Sequence, residues 1–193
     1  MIERPGNREP RKQRRLASLW WIGQRAGVVA KGFGMSFQQV LEQAEGWIEL
    51  GLGADALELL QGLAPRERFR PAALEVKLEA EMSREHWNQA ADTARLLCVK
   101  VPHRPDYFLR AARCLHATGD TQAAKDWLMS GPRELIRSSI FHYHMGCYAA
   151  ALGEEQEARR FLSRAFDMDV VLREVAEHNE DLASLGVLPL GAD

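Results

Sequence analysis

The stretch HMGCYAAALGEEQEARRFLSRAF, residues 144–166, decides the fold. Met145, Tyr148, Ala149 and Leu152 are apolar at helical spacing; then comes Gly153, then a second stripe of Ala158, Phe161, Leu162, Ala165 and Phe166. Apolar residues at i, i+3, i+4 and i+7 on both sides of a glycine read as two amphipathic helices joined by a tight turn. Gly146 and Ala158 are small, and two helices joined so tightly must nearly touch at their crossing, where a bulky side chain would push them apart.

Outward from this stretch the same features recur every 34 residues. Ala158 is preceded by Ala124, Ala90 and Ala56. Twelve positions before each stand Gly146, Ala112, Leu78 and Ala44, and four positions after each stand Leu162, Leu128, Ala94 and Leu60. Five positions before each is a turn residue: Gly153, Gly119, Glu85 and Gly51. Four columns sharing one period over four cycles mark a repeat array. In the first cycle Ser36 is placed to cap a helix striped by Phe37, Val40, Leu41, Ala44, Trp47 and Ile48; Leu57, Leu60 and Leu63 stripe the next. The second cycle carries an unbroken stripe from Trp87 through Ala90, Ala91, Ala94, Leu97 and Cys98 to Val101. The helix before it is less plain. Leu74, Val76, Leu78, Ala80 and Met82 alternate like a strand, yet the residue types favour helix and the period requires one.

Phe108, Ala111, Ala112 and Leu115 open the third cycle. There Gly131 and Pro132 fall where the second helix should continue, which predicts a stop near Met129 and then one continuous helix from Arg133 to Leu152. After Asp169, Val170 to Leu185 reads as a closing helix, with Leu172, Val175, Ala176, Leu182 and Leu185 covering the open face of the last repeat.

These columns resemble the tetratricopeptide repeat, whose pattern is W-x2-L-G-x2-Y, then A-x3-F, then P. The fourth cycle carries the resemblance best, with Met145-Gly146, Gly153 and Ala158 to Phe166. The third matches at Phe108, Ala111-Ala112, Gly119-Asp120 and Ala124. The second matches at Trp87, Ala90 and Pro102, with Glu81 where an aromatic is usual. The first matches at Ala44, Trp47, Ala56 and Leu60, with Gln43 replacing a leucine.

The resemblance covers residues 37–172. It implies an all-α, right-handed solenoid of about four hairpins (37–70, 71–104, 105–138 and 139–172), followed by a capping helix and tail over 173–193. It also implies a protein-interaction scaffold that holds a partner peptide or helix in a concave groove lined by the first helices. The inward places fall on Leu41, Glu42, Glu45, Ile48 and Glu49, then on Glu75, Val76, Glu79 and Met82. They continue through Asp106, Leu109, Arg110, Arg113 and His116 to Ile140, Tyr143, His144 and Cys147. The face therefore runs acidic, basic, aromatic. It suits a partner that is basic towards the first two repeats and apolar or acidic towards the last two. The family's carboxylate clamp is not matched, since Leu41, Glu45 and Asp106 occupy its places. The plain alternative is a solvated charged face.

Composition narrows the remaining classes. Residues 1–34 hold eight Lys or Arg against Glu3 and Glu9, so of the chain's net charge of −2 the remaining residues carry −8. That first segment lies outside the periodicity. It reads as a disordered extension, with Met35 as an alternative start, and no nucleic-acid contact is expected. A basic stretch followed by tryptophans over residues 11–22 also suits an anionic membrane surface. A membrane-attached assembly factor or secretion-type chaperone anchored through it is thus the competing function. Cys98, Cys114 and Cys147 form no CxxC pair and fit reduced thiols in the cytoplasm. No nucleotide fingerprint or nucleophile elbow is present, and neither an enzyme nor a cofactor is expected. His142, His144, Cys147, Cys114 and His116 have the ligand types for zinc, but their spacing leaves buried core residues as the better reading.

Overall fold

The structure is a computed structural model and describes residues 34–186. The expectations for the basic extension, for membrane contact through residues 11–22 and for the tail from 187 lie outside the described residues. Ser36 opens the first helix as its position predicts. Its hydroxyl accepts from the Gln39 amide at 3.3 Å, while the Gln39 side chain accepts from the Ser36 amide at 2.8 Å. This reciprocal cap satisfies two donors that a helix start leaves unpaired. The elements that follow are α1 (Phe37–Glu49), α2 (Gly53–Gln61), α3 (Pro65–Arg68), α4 (Pro71–Ser83), α5 (Trp87–Lys100) and α6 (Pro105–Ala117). Then come α7 (Thr121–Met129), α8 (Arg133–Ile136), α9 (Ser139–Ala151), α10 (Glu155–Met168), α11 (Val171–Glu177) and a 3-10 turn, Glu180–Leu185. Among the described residues there is no strand.

The turn column and the alanine column explain why the chain folds into hairpins. Gly51, Glu85, Gly119 and Gly153 all take positive φ, at 78°, 57°, 88° and 76°. Each donates its amide three residues back, and the residue after it donates five back, as in Gly51 to Ile48 at 2.9 Å and Leu52 to Trp47 at 2.8 Å. This left-handed helix stop reverses the chain with its last carbonyls satisfied. Ala56, Ala90, Ala124 and Ala158 are completely buried at the crossings. At Gly146 the approach is tight, since an added Cβ would stand 2.7 Å from Leu162 and 3.3 Å from the Ala158 carbonyl oxygen.

The strand-like alternation of 74–82 has a helical cause. Ala73, Val76 and Ala80 of α4 belong to a core shared with α1 and α2. Leu74 and Leu78 belong to the next core, shared with α5, α6 and α7. Two helical stripes on two sides of one helix interleave into an apparent period of two. Glu81 sits between them, buried, where its carboxylate accepts from the Thr93 hydroxyl at 2.7 Å and pairs with Lys77 at 3.1 Å. Its charge is thus compensated in place of the family's aromatic.

Two expectations need correction. The helix does stop at Met129, but the segment after Pro132 is not one continuous helix: α8 ends at Ile136 and α9 begins at Ser139. Ser138 makes the break. Its hydroxyl donates to the Leu135 carbonyl at 2.6 Å and accepts from the Phe141 amide at 3.2 Å, ending one helix and capping the next. The closing helix is also interrupted. α11 stops at Glu177, and Asn179 starts a 3-10 turn by accepting from the Asp181 amide at 3.0 Å.

Candidate partner-binding groove

The first helices of the first three hairpins each present one face to a common cleft of about 490 Å³. α1 contributes Glu45, Ile48 and Glu49, and α4 contributes Glu75, Val76 and Glu79. α6 and its lead-in contribute Arg104, Asp106, Tyr107 and Arg110. The three- and four-residue spacings place each set on a single helix face. Ile48 provides the half-buried apolar surface, Val76 lines the cleft from the core beneath it, and five carboxylates outnumber two guanidiniums.

Most of these charges are paired between neighbouring hairpins. Arg110 reaches Glu79 at 2.7 Å, and Arg104 lies 3.8 Å from Asp106 and 4.0 Å from Glu75. The Tyr107 hydroxyl donates to Glu75, and the Arg104 guanidinium lies 5.1 Å from the Tyr107 ring centre. Burial, and then the Glu75 carboxylate, push the Tyr107 hydroxyl up to about 12, so it remains a donor. Glu45 and Glu49 have no ion-pair or hydrogen-bond partner among the described residues. Half-exposed ion pairs of this kind contribute only about 0–1 kcal/mol each, so an incoming ligand can exchange them at small cost.

The other end of the inner face is covered by the chain itself. The Asn179 amide donates to the Tyr143 hydroxyl at 2.9 Å and to the Cys147 sulfur at 3.4 Å. The Asp181 carboxylate meets His116 Nε2 at 3.2 Å, and the other ring nitrogen of His116 lies 2.8 Å from the Thr121 hydroxyl. Leu182 and Leu185 are buried in one apolar cluster with Tyr143, Cys147 and Ala150. His116, Tyr148, His144 and Tyr143 form a continuous aromatic row, with successive ring centres 5.1, 5.9 and 5.7 Å apart. Burial lowers His144 to about 4, with Arg113 and His116 adding to the effect. Burial raises the Tyr143 hydroxyl and the Cys147 thiol to about 12 each.

Of the residues marked by sequence, Glu45, Glu49, Glu75, Glu79 and Arg110 therefore meet in one cleft. Glu42 is exposed on α1 outside it, accepting from Gln38 at 3.2 Å. Arg113 is exposed on α6. His116, Tyr143 and His144 gather at the far end, and Tyr143 is not open to solvent: it is 4% exposed and held by Asn179. Tyr107 and Arg104 were missed. Tyr107 sits one place beside the inward register, and its partner Glu75 is 32 residues away, a pairing that no local pattern reveals. Among the described residues no three His, Cys, Asp or Glu side chains cluster as a metal site. His142 instead packs between Phe141 and Phe161, 5.3 and 5.9 Å from their ring centres.

No family model matches the sequence, and no curated protein matches it. Solved structures do. Two crystal structures of MamA superpose with TM-scores of 0.65 at 14% identity. One covers 84% of this chain and 95% of that one, the other 93% of each. TTC0263, a thermophilic TPR protein of Thermus thermophilus, superposes with a TM-score of 0.57 at 17% identity over 83% of this chain and 93% of its own. At such identities the likeness is one of fold, and the fold is that of the tetratricopeptide repeat.

Proposed function

Because the chain has the tetratricopeptide-repeat fold, we propose that it is a protein-interaction scaffold whose acidic cleft between α1, α4 and α6 holds a basic segment of a partner protein. The carrying observation is the cleft itself: five carboxylates, two of them unpartnered among the described residues, around the half-buried Ile48 side chain. Carboxylates facing water attract cationic segments and raise encounter rates, while apolar and aromatic contacts at the centre of a site supply residence time. Glu75, Glu79, Asp106, Arg104 and Arg110 are paired with one another at the surface, and Glu45 and Glu49 are left open to a cationic partner. Cys98, Cys114 and Cys147 are free and buried, which suits a reducing compartment and supports a cytoplasmic scaffold.

The test uses a fluorescein-labelled helical peptide of Leu, Lys and Arg, with anisotropy read at two salt concentrations. The unmodified chain should bind it in a salt-dependent way. Glu45→Lys with Glu79→Lys should slow association by roughly tenfold and flatten the salt dependence. Reversing Glu58 on α2 and Asp92 on α5, both exposed away from the cleft, should leave binding unchanged. If the cleft reversals have no effect and the outer ones abolish binding, the outer helices carry the working surface and the reading is wrong.

A further inference from the structure

The second half of the inner face is not empty, and what fills it has the form of a ligand. By the 34-residue period, residues 173–185 stand where the first helix of a fifth hairpin would begin. A regular helix there would pack alongside α9. Instead α11 ends at Glu177, and the chain turns so that Asp181 reaches back past α9 to His116 on α6. The contacts made on the way are those of a bound peptide rather than of a helix pair. A side-chain amide bonds the Tyr143 hydroxyl, a carboxylate meets His116, and Leu182 and Leu185 enter an apolar pocket. The segment's own fold is short: one 3-10 turn of six residues.

We propose that the inner face of α6 and α9 is a peptide-binding groove for partner segments of the pattern Asn-x-Asp-Leu-x-x-Leu, and that residues 179–185 occupy it as an internal ligand which such a partner displaces. This rests on the inner face being the working surface, but it concerns a different half of that face from the acidic cleft and opposite ligand charge. His116 on α6 meets the carboxylate, and His144 and Tyr148 on α9 feel both that carboxylate and the Arg113 guanidinium of α6, so the wall is aromatic and neutral to basic. That wall has no use for a basic partner and suits an acidic one. The occupant is also replaceable in principle. A tethered segment competes at an effective concentration on the order of millimolar, and a partner's apparent affinity is reduced by the fraction of open molecules.

The experiment adds a fluorescein-labelled peptide with the sequence of residues 177–186 to the full chain and to the full chain carrying Leu182→Ser with Asn179→Ala. Binding should be at least about tenfold tighter to the variant than to the unmodified chain, because the groove is vacated. It should be lost when Arg113→Glu is added to the variant, or when the peptide itself carries the Leu182→Ser change. Equal affinity for both chains, or no binding to a variant whose circular dichroism is unchanged, overturns the proposal. Should the variant fail to fold, hydrogen exchange on the unmodified chain decides. Amides of 180–185 should exchange at least about tenfold faster than those of 141–150, and equal protection means the segment never leaves. A chain that sediments as a dimer and becomes monomeric with Leu182→Ser assigns the groove to a second copy and overturns the partner. The basic-peptide assay of the acidic cleft is unaffected by any of these outcomes, so the two readings fail separately.

Discussion

At the scale of single residues, the turn column shows one exception with a measurable consequence. Three of its four members are glycines, and Glu85 takes the same left-handed conformation at φ 57°, the only non-glycine among the described residues to do so. A Cβ in that region costs about 1–2 kcal/mol. Glu85 is exposed, so Glu85→Gly should stabilise the fold by about 1 kcal/mol and raise the thermal midpoint by roughly 2–4 °C, read by circular dichroism. An unchanged or lower midpoint would show that the turn already compensates for its side chain. His144 gives a pH dependence. Its folded value lies near 4, below the ordinary 6.5, because burial and the neighbouring Arg113 and His116 disfavour its charge. The unfolded chain therefore takes up a proton that the folded one refuses. Stability falls as pH drops from about 6.5 towards 4, by up to about 3 kcal/mol from this group. His144→Gln cannot titrate, so the gap in midpoint between variant and parent should shift in the variant's favour from pH 7 to pH 4.5. A constant gap would place His144 in a more solvated setting. The alanine column and Glu85 were legible in the sequence because both are set within one hairpin, by the crossing of two adjacent helices and by the turn that joins them. Tyr107 with Glu75, and His116 with Asp181, were not, because such pairs are set by how the hairpins stack.

At the scale of elements, legibility follows how many sides of a helix are buried. α1, α5 and α10 bury one face and show it as a clean stripe. α4 and α9 bury two, so the alternation in α4 reads as strand until the 34-residue period overrules it. The break between α8 and α9 escaped because it depends on one hydroxyl: Ser138 looks like an ordinary helix residue until it is seen to cap. The Asn179 break carried a readable sign, an Asx residue followed by Glu180 and Asp181, which is a helix-start signature inside an apparently continuous stripe. The closest crossings are the sharpest test of the register. Ala124 is fully buried between the helices of the third hairpin. Ala124→Trp should destabilise by about 1–3 kcal/mol or more, since the crossing cannot widen without unseating Leu128 and its neighbours. A variant melting with the parent would mean that the helices do not cross there.

At the scale of the whole molecule, the true period is twice the one the sequence announces. α1, α2, α3, α4 and α5 recur 68 residues later as α6, α7, α8, α9 and α10, each with its length unchanged. Odd hairpins have a nine-residue second helix and a four-residue helical link; even hairpins have a fourteen-residue second helix. In each pair the first helix of the even hairpin is the joint: α4 is divided between the first and second cores, and α9 between the second and third. The joints are unequal. α9 offers Phe141, Met145 and Tyr148 to the core it shares with the third hairpin, whereas α4 offers the first hairpin only Ala73, Val76 and Ala80. In a stacked array stability is a sum of unit and interface contributions, so the thinnest interface opens first. The first hairpin should therefore exchange its amides faster than the rest. Val76→Ala should widen the difference: removing two buried methyl-sized groups costs about 1.6 kcal/mol at about 0.8 kcal/mol each, roughly a tenfold rise in local opening. Mass-resolved hydrogen exchange should show that rise in residues 37–61 and no change in residues 139–168. A uniform rise along the chain would mean that the four hairpins open as a single unit. Val76 also borders the acidic cleft, so a ligand bound across α1, α4 and α6 bridges this joint and should slow exchange in the first hairpin more than anywhere else.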